Sequence, residues 1–185
     1  MFGLSAHYML YRPIQRSWPA YVISLCLCVL IRLIPGRPPN VEPILATVMP
    51  LSREFGVLDS ALFAALNILV FDLLVGQFGT WSVVGATTYA AIAAVGCVYL
   101  KHVKGLLGYL SYSVLGIVFF DFVTGVVVGP LMFHQSFREA FFGQIPFTVN
   151  HVLGTLLLAL LLSPAIEKWL IPYALNIRLP VRATR

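Results

Sequence analysis

The sequence predicts an all-α, polytopic integral membrane protein with about six transmembrane helices and a parallel internal repeat. The chain has 185 residues, of which 59% are hydrophobic and only 10% are charged, and its mean hydropathy is +0.91. A soluble domain carries about 25% charged residues, so the chain is expected to fold in lipid. Its apolar runs are about 20 residues long and do not alternate, which favours helices over barrel strands.

An internal repeat supports this fold. Residues 57–76 read VLDSALFAALNILVFDLLVG, residues 106–125 read LLGYLSYSVLGIVFFDFVTG, and the two align without gaps. Each copy places an aspartate four residues before a glycine, at Asp72 and at Asp121. The offset of 121 − 72 = 49 residues leaves room for two membrane passes, so both copies are expected to run in the same direction.

The apolar runs and their breakers define the predicted segments. Four prolines between residues 35 and 43 interrupt the chain after the first run. A transmembrane domain is expected at 18–171, between a cytoplasmic N-terminal segment at 1–17 and a basic cytoplasmic tail at 172–185. Within the domain, helices are predicted at 18–34, 57–76, 81–100, 106–128 and 147–171, with a short apolar segment at 41–54 and a connection at 129–146.

The sequence leaves the number of membrane spans open at five or six. As a helix, the 41–54 segment would extend about 20 Å, against a hydrocarbon core of about 30 Å. Six spans with both termini inside, or five with the N-terminus outside, both place nine basic residues inside and three outside. In either arrangement Asp72 and Asp121 are expected towards the outer side, each about 6 Å from the end of its helix.

Polar side chains in or near the apolar segments are the candidate substrate-binding residues. A charge within the membrane costs about 2.5–3.5 kcal/mol at mid-depth, so a carboxylate in both copies of the repeat favours a polar cavity that binds a solute. The alternative is that each aspartate caps a turn or bonds a neighbouring helix. Arg32 and Glu42 are expected to pair across the rigid, proline-rich loop. The candidate set is Asn40, Glu42, Asp72, Asp121, Asn150 and His151.

No catalytic residue, metal site or cofactor is predicted, and the chain is not expected to be an enzyme. The sequence lacks the Walker, G-x-S-x-G and H-E-x-x-H motifs, and its four histidines have no helical metal-ligand spacing. The net charge of +5 comes from dispersed basic residues, which argues against nucleic acid as a partner.

A series of short motifs then runs along residues 18–170 in a distinctive order. They are RLIP at 32–35, PNVEPI at 39–44, FD at 71–72, FFD at 119–121, TG at 124–125, GQIPFT at 143–148, HVLG at 151–154 and LSP at 162–164. Their order resembles the substrate-binding S components of energy-coupling factor (ECF) transporters, in particular an uncharacterised bacterial branch.

The resemblance implies a six-helix, multi-pass protein of the plasma membrane that captures a small vitamin-like solute from outside. It also implies docking on a membrane T component that is bound to ATPase subunits. The family often carries an Ala-x-x-x-Ala docking element on the first helix, and the nearest counterpart here is Ser24 with Cys28. Two other hypotheses remain: a structural scaffold or assembly subunit (MreD-like) without transport activity, and a small membrane enzyme.

Overall fold

The chain forms a bundle of α-helices, described over residues 18–38 and 40–176 in a computed structural model. No β-strand occurs in these residues, which confirms the all-α class. The predicted N-terminal segment at 1–17 lies outside the described residues, and so does most of the predicted tail at 172–185. The helices are α1 (Trp18–Arg32), α2 (Ile44–Glu54), α3 (Val57–Leu74), α4 (Thr80–His102), α5 (Gly105–Asp121), α6 (Gly129–Phe133), α7 (Phe137–Ala165) and α8 (Ile171–Asn176). Two π-helical segments, Phe122–Val128 and Ile166–Leu170, join α5 to α6 and α7 to α8.

The helices have the length and the surface of membrane spans. Four helical stretches are long and apolar enough to cross a membrane: Val57–Leu74, Thr80–His102, Gly105–Phe133 and Phe137–Ala174. Large apolar side chains cover the outside of the bundle, with Leu107 71% and Leu161 63% exposed. Lipid tails solvate such a surface, whereas in water it would promote aggregation. The protein is therefore a polytopic membrane protein.

The two copies of the repeat run in the same direction, as the sequence predicts. Each copy packs against α4, which is antiparallel to both of them. The contacts that set these directions are Ser60–Cys97 and Ile68–Gly85 between α3 and α4, and Tyr99–Ser111 and Tyr89–Phe120 between α4 and α5.

Helix α2 lies at the centre of the bundle. Every residue from Ile44 to Ser52 is buried, and α2 packs against α1, α3, α4, α5 and α7. It runs antiparallel to α1, because Glu42 before its start lies near Arg32 and Phe55 after its end lies near Tyr21. At about 16 Å it is too short to span alone, but with the preceding loop it returns the chain along α1. This path agrees with the six-pass arrangement.

The predicted connection at 129–146 is mostly helical, so this prediction is wrong. α6 ends at Phe133, a turn follows at 134–136, and α7 begins at Phe137. His134 adopts a left-handed conformation with φ +54°, and the Ser136 hydroxyl accepts the Glu139 N–H at 3.2 Å. Pro130 follows the π-helical segment without a break in the helix, and because it has no N–H it cannot continue the hydrogen bonds of that segment beyond Gly129.

Candidate functional site

Asp121 and His151 form a buried pair between α5 and α7. Nδ1 of His151 donates to Oδ1 of Asp121 at 2.9 Å. Asp121 is 1% exposed and His151 is 3% exposed. Helical spacing explains their burial: Ser113 and Ile117 precede Asp121 on the buried face of α5, and Thr155 follows His151 on that of α7. The second Asp121 oxygen and His151 Nε2 have no hydrogen-bond partner among the described residues.

Asp121 lies deeper in its helix than expected. Because the π-helical segment and α6 continue to Phe133, Asp121 is about 24 Å along the helix from Gly105 and about 18 Å from Phe133. The expectation of about 6 Å from a helix end is therefore wrong for Asp121. Asp72 does lie in the last turn of its helix, since α3 ends at Leu74.

A second group of charges lies where the loop after α1 enters the bundle. Arg32 and Arg37 each place Nη2 3.7 Å from Oε1 of Glu42, so the predicted Arg32–Glu42 pair is confirmed. Arg32 is only 8% exposed. Its Nη1 donates to the Asn67 carbonyl at 2.7 Å, and its guanidinium lies 3.8 Å above the centre of the Phe71 ring. These contacts compensate the guanidinium charge inside the bundle.

Tyr89 on α4 connects the two groups. Its ring stacks on Phe120 at 4.2 Å, and Phe120 in turn meets His151 edge-on at 6.0 Å. The Tyr89 hydroxyl is buried without a hydrogen-bond partner among the described residues, and it lies within electrostatic range of Glu42 and Asp121. We term the resulting group the interior polar cluster, which consists of Arg32, Glu42, Tyr89, Asp121 and His151.

The loop after α1 packs against α7 beside this cluster. A Cβ on Gly154 would lie 2.9 Å from the Cα of Val41 and 3.0 Å from the carbonyl oxygen of Asn40, so the close approach requires glycine. Gly154 is one helical turn from His151. Asn40 has φ +70°, a left-handed conformation that asparagine tolerates better than most residues, and Arg37 Nη1 donates to the Val41 carbonyl.

The structure brings some of the predicted site residues together and leaves others apart. Glu42, Asp121 and His151 belong to the interior polar cluster, and Asn40 lies in the loop beside it. Asp72 is half-buried, and no hydrogen bond or ion pair among the described residues joins it to the cluster. Asn150 is exposed, since one residue along a helix turns the side chain about 100° away from that of His151. A role in solute binding stays a prediction for all six.

Tyr89 is not among the residues that the sequence predicts for the site. It lies in the Ala- and Gly-rich helix, whose composition indicates close helix packing. The available signal was weak: one phenolic hydroxyl in an apolar run, with partners more than thirty residues away in sequence.

The interior polar cluster has the chemistry of a binding site for a polar solute. Four of its atoms have no hydrogen-bond partner within the described residues: Asp121 Oδ2, His151 Nε2, the Tyr89 hydroxyl and Arg32 Nε. An unpaired buried polar group costs about 1–3 kcal/mol, a cost that a hydrogen-bonding solute would remove. Within the described part of the chain, no group of three or more His, Cys, Asp and Glu residues is arranged to hold a metal ion.

Comparison of the chain with known proteins found no matching family model, no matching curated protein and no matching solved structure.

Proposed function

We propose that this protein is a solute-binding subunit of the cell membrane that captures a small, vitamin-like molecule from outside for import powered by partner ATPases. The observation that carries the proposal is the interior polar cluster, whose buried polar atoms lack partners in the described part of the chain, deep inside an apolar bundle. Apolar residues of similar size fill such a position at least as stably as ionic groups. Ionisable residues at membrane depth are therefore a sign of a functional site.

The charges of the cluster, taken together with the neighbouring Arg37, support a solute without net charge. When His151 is neutral, Arg32 and Arg37 balance Glu42 and Asp121. A charged solute would add an uncompensated charge in a medium of low dielectric constant, which is costly. The nearby rings of Tyr89 and Phe120 favour a solute with a flat or apolar part beside its polar groups.

Import would depend on other chains. The sequence has no Walker motif, so ATP must be hydrolysed by a partner. The expected docking element does not face outward, since Ser24 and Cys28 are both fully buried in the bundle. A T component would therefore dock on a different surface, such as the side of α1 that exposes Val22 and Leu30.

Native mass spectrometry of the gently purified full chain tests the proposal. We expect a co-purifying small molecule that is lost from Asp121→Asn and retained by Asp72→Asn. Both variants remove one carboxylate charge with little change of shape, so Asp72→Asn is the matched control from the other copy of the repeat. Melting temperatures of both variants report on folding. A wild-type protein that is empty in repeated preparations, or equal loss from both variants, would count against solute binding.

A structural scaffold without transport activity is the second candidate, and the outer surface of the bundle favours it. An apolar groove of about 300 Å³ runs between α4 and α5 past Tyr99 and Leu115, and another of about 240 Å³ runs between α5 and α7 past Phe122 and Ile145. Such grooves suit the helix of another membrane protein. A scaffold predicts that both aspartate variants stay active, that bulky substitutions in the grooves disrupt assembly, and that neither a T component nor an ATPase co-purifies.

A further inference from the structure

The helix that contains Asp121 changes its geometry directly after this residue. Phe122–Val128 is π-helical, and the Gly129 N–H donates to the carbonyl of Thr124, five residues earlier. A π-helical segment is less regular than an α-helix and is frequent at functional sites. The helix is thus irregular on the side of Asp121 that leads to α6.

The partner helix is irregular at the same level. Pro146 lies inside α7, five residues before His151, and it lacks the N–H that would bond the Phe142 carbonyl. The two irregular stretches face each other, because a Cβ on Gly125 would overlap the side-chain amide of Gln144. Helices bend preferentially at prolines and π-helical turns, so both helices have a bending point here.

The segment beyond these points makes few contacts with the bundle. Every residue from 131 to 139 is exposed, and from 140 to 150 only Ala140 is buried and only Gln144 and Thr148 are partly buried. Closer to Asp121 the segment packs more tightly, with Thr124, Gly129 and Pro130 buried. At its tip, the ring of Phe133 contacts the ring of Trp81 at the start of α4, with centroids 5.9 Å apart. We define residues 122–150 as the helical arm.

We propose that the helical arm is a gate, which bends at the Gly125–Gln144 contact and opens a path to the interior polar cluster. The arm starts directly after Asp121 and ends directly before His151, so separating its two helices exposes both members of the pair. The Trp81–Phe133 contact holds the arm closed. This inference rests on the proposed function, because only a site that takes up a solute needs such access.

Locking the arm and measuring access to His151 tests the gate. In a chain with Cys26, Cys28 and Cys97 replaced by serine or alanine, Trp81→Cys and Phe133→Cys are joined by a short bifunctional maleimide. Diethyl pyrocarbonate then probes the free Nε2 of His151 in the full chain in lipid nanodiscs, with peptide mass spectrometry as the readout. Because the reaction rate follows the open population, we expect about tenfold slower modification of His151 in the locked protein.

Controls separate the gate from general effects of crosslinking. The exposed His102, at the other end of α4, is modified at an unchanged rate. A crosslink between Ile68→Cys and Gly85→Cys, which joins α3 to α4 where the two residues touch, leaves the His151 rate unchanged. Pro146→Ala restores a helical N–H and is expected to slow the modification without any crosslink.

The outcomes distinguish the gate from the proposed function. An equal His151 rate in locked and unlocked protein, or an unreactive His151 in the unlocked protein, would overturn the gate. The diethyl pyrocarbonate experiment needs no natural ligand. If it confirms the gate while native mass spectrometry finds no bound solute, solute binding is rejected and the gate is not.

Discussion

Asp72 and Asp121 occupy matched positions in the two copies of the repeat, but they lie in different surroundings. Asp121 is buried against His151, whereas Asp72 is half-buried in the last turn of α3. The copies differ after the aspartate: the first ends at Gly76 with φ +69°, and the Gln77 N–H closes the helix on the Asp72 carbonyl at 2.8 Å. The second copy continues as a π-helix, which keeps Asp121 inside the bundle.

The different surroundings predict different costs for the same substitution. Asp121→Leu is expected to lower the free energy of unfolding by about 1–3 kcal/mol, because the buried Nδ1–H of His151 loses its acceptor. Asp72→Leu is expected to change it by about 0.5 kcal/mol or less. Reversible unfolding by dodecyl sulfate in mixed micelles measures both. Equal losses from the two variants would mean that the Asp121–His151 bond contributes nothing specific.

A substitution at Gly154 tests how tightly the loop after α1 packs against α7. Gly154→Ala places a methyl group 2.9 Å from the Val41 Cα, so the loop backbone must shift, and we expect a loss of about 1–3 kcal/mol of stability. Gly143→Ala on the same helix is the matched control, because a Cβ there has no neighbour within 4 Å. It is expected to raise stability by up to about 1 kcal/mol through helix propensity. Thermal unfolding in detergent compares the two, and a neutral Gly154→Ala would show that the loop packs loosely.

The fold class and the parallel repeat could be predicted from the sequence because both follow from local apolar patterns and internal similarity. The Arg32–Glu42 pair was also predictable, since the prolines between them limit how far the loop can separate the two charges. The segment at 129–146 was not predictable in this way. Its prolines, Pro130 and Pro146, both lie within continuous helical stretches, and whether a helix tolerates a proline depends on context rather than on residue type.

The site was predictable only in part. Asp121 and His151 were identifiable as polar residues in apolar runs, but their 2.9 Å contact depends on how α5 packs against α7. Tyr89 belongs to the site because its ring stacks on Phe120, a tertiary contact between two apolar runs. Asn150 shows the opposite case, since helix phase alone turns it away from His151.

The contact between Ser163 and Ala46 predicts a double-mutant effect at the centre of the bundle. Pro50 lacks the N–H that would bond the Ala46 carbonyl, and the Ser163 hydroxyl donates to this carbonyl at 2.8 Å instead. Ser163→Ala is therefore expected to cost about 1–3 kcal/mol, because a buried carbonyl loses its donor. In a Pro50→Ala background the restored N–H supplies a donor, so the same change is expected to cost at least about 1 kcal/mol less. Chemical unfolding measures both costs. Equal costs in the two backgrounds would contradict the inference that the Ser163 hydroxyl takes the place of the missing backbone N–H.

Arg53 joins the end of the central helix to three other parts of the bundle. Its Nη1 lies 2.7 Å from Oε1 of Glu167, and the same nitrogen donates to the Tyr109 hydroxyl at 3.0 Å. Its Nη2 donates to the carbonyls of Val103 and Gly105 at 3.2 and 3.3 Å. The contacts tie α2 to α5 through Tyr109, to the turn between α4 and α5, and to the second π-helical segment.

Removing Glu167 from its ion pair with Arg53 is expected to destabilise the protein. Glu167→Ala is expected to lower the free energy of unfolding by about 1–2 kcal/mol, because the Arg53 side chain is only 12% exposed and loses its carboxylate partner. The loss is no larger because Glu167 is partly exposed, so water already screens the ion pair. Lys168→Ala, at the exposed neighbouring position, is the control and is expected to change stability by about 0.5 kcal/mol or less. In an Arg53→Gln background the Glu167→Ala cost should largely disappear, because no charge is left to compensate. If the cost persists there, the stability comes from packing of the π-helical segment and not from the ion pair.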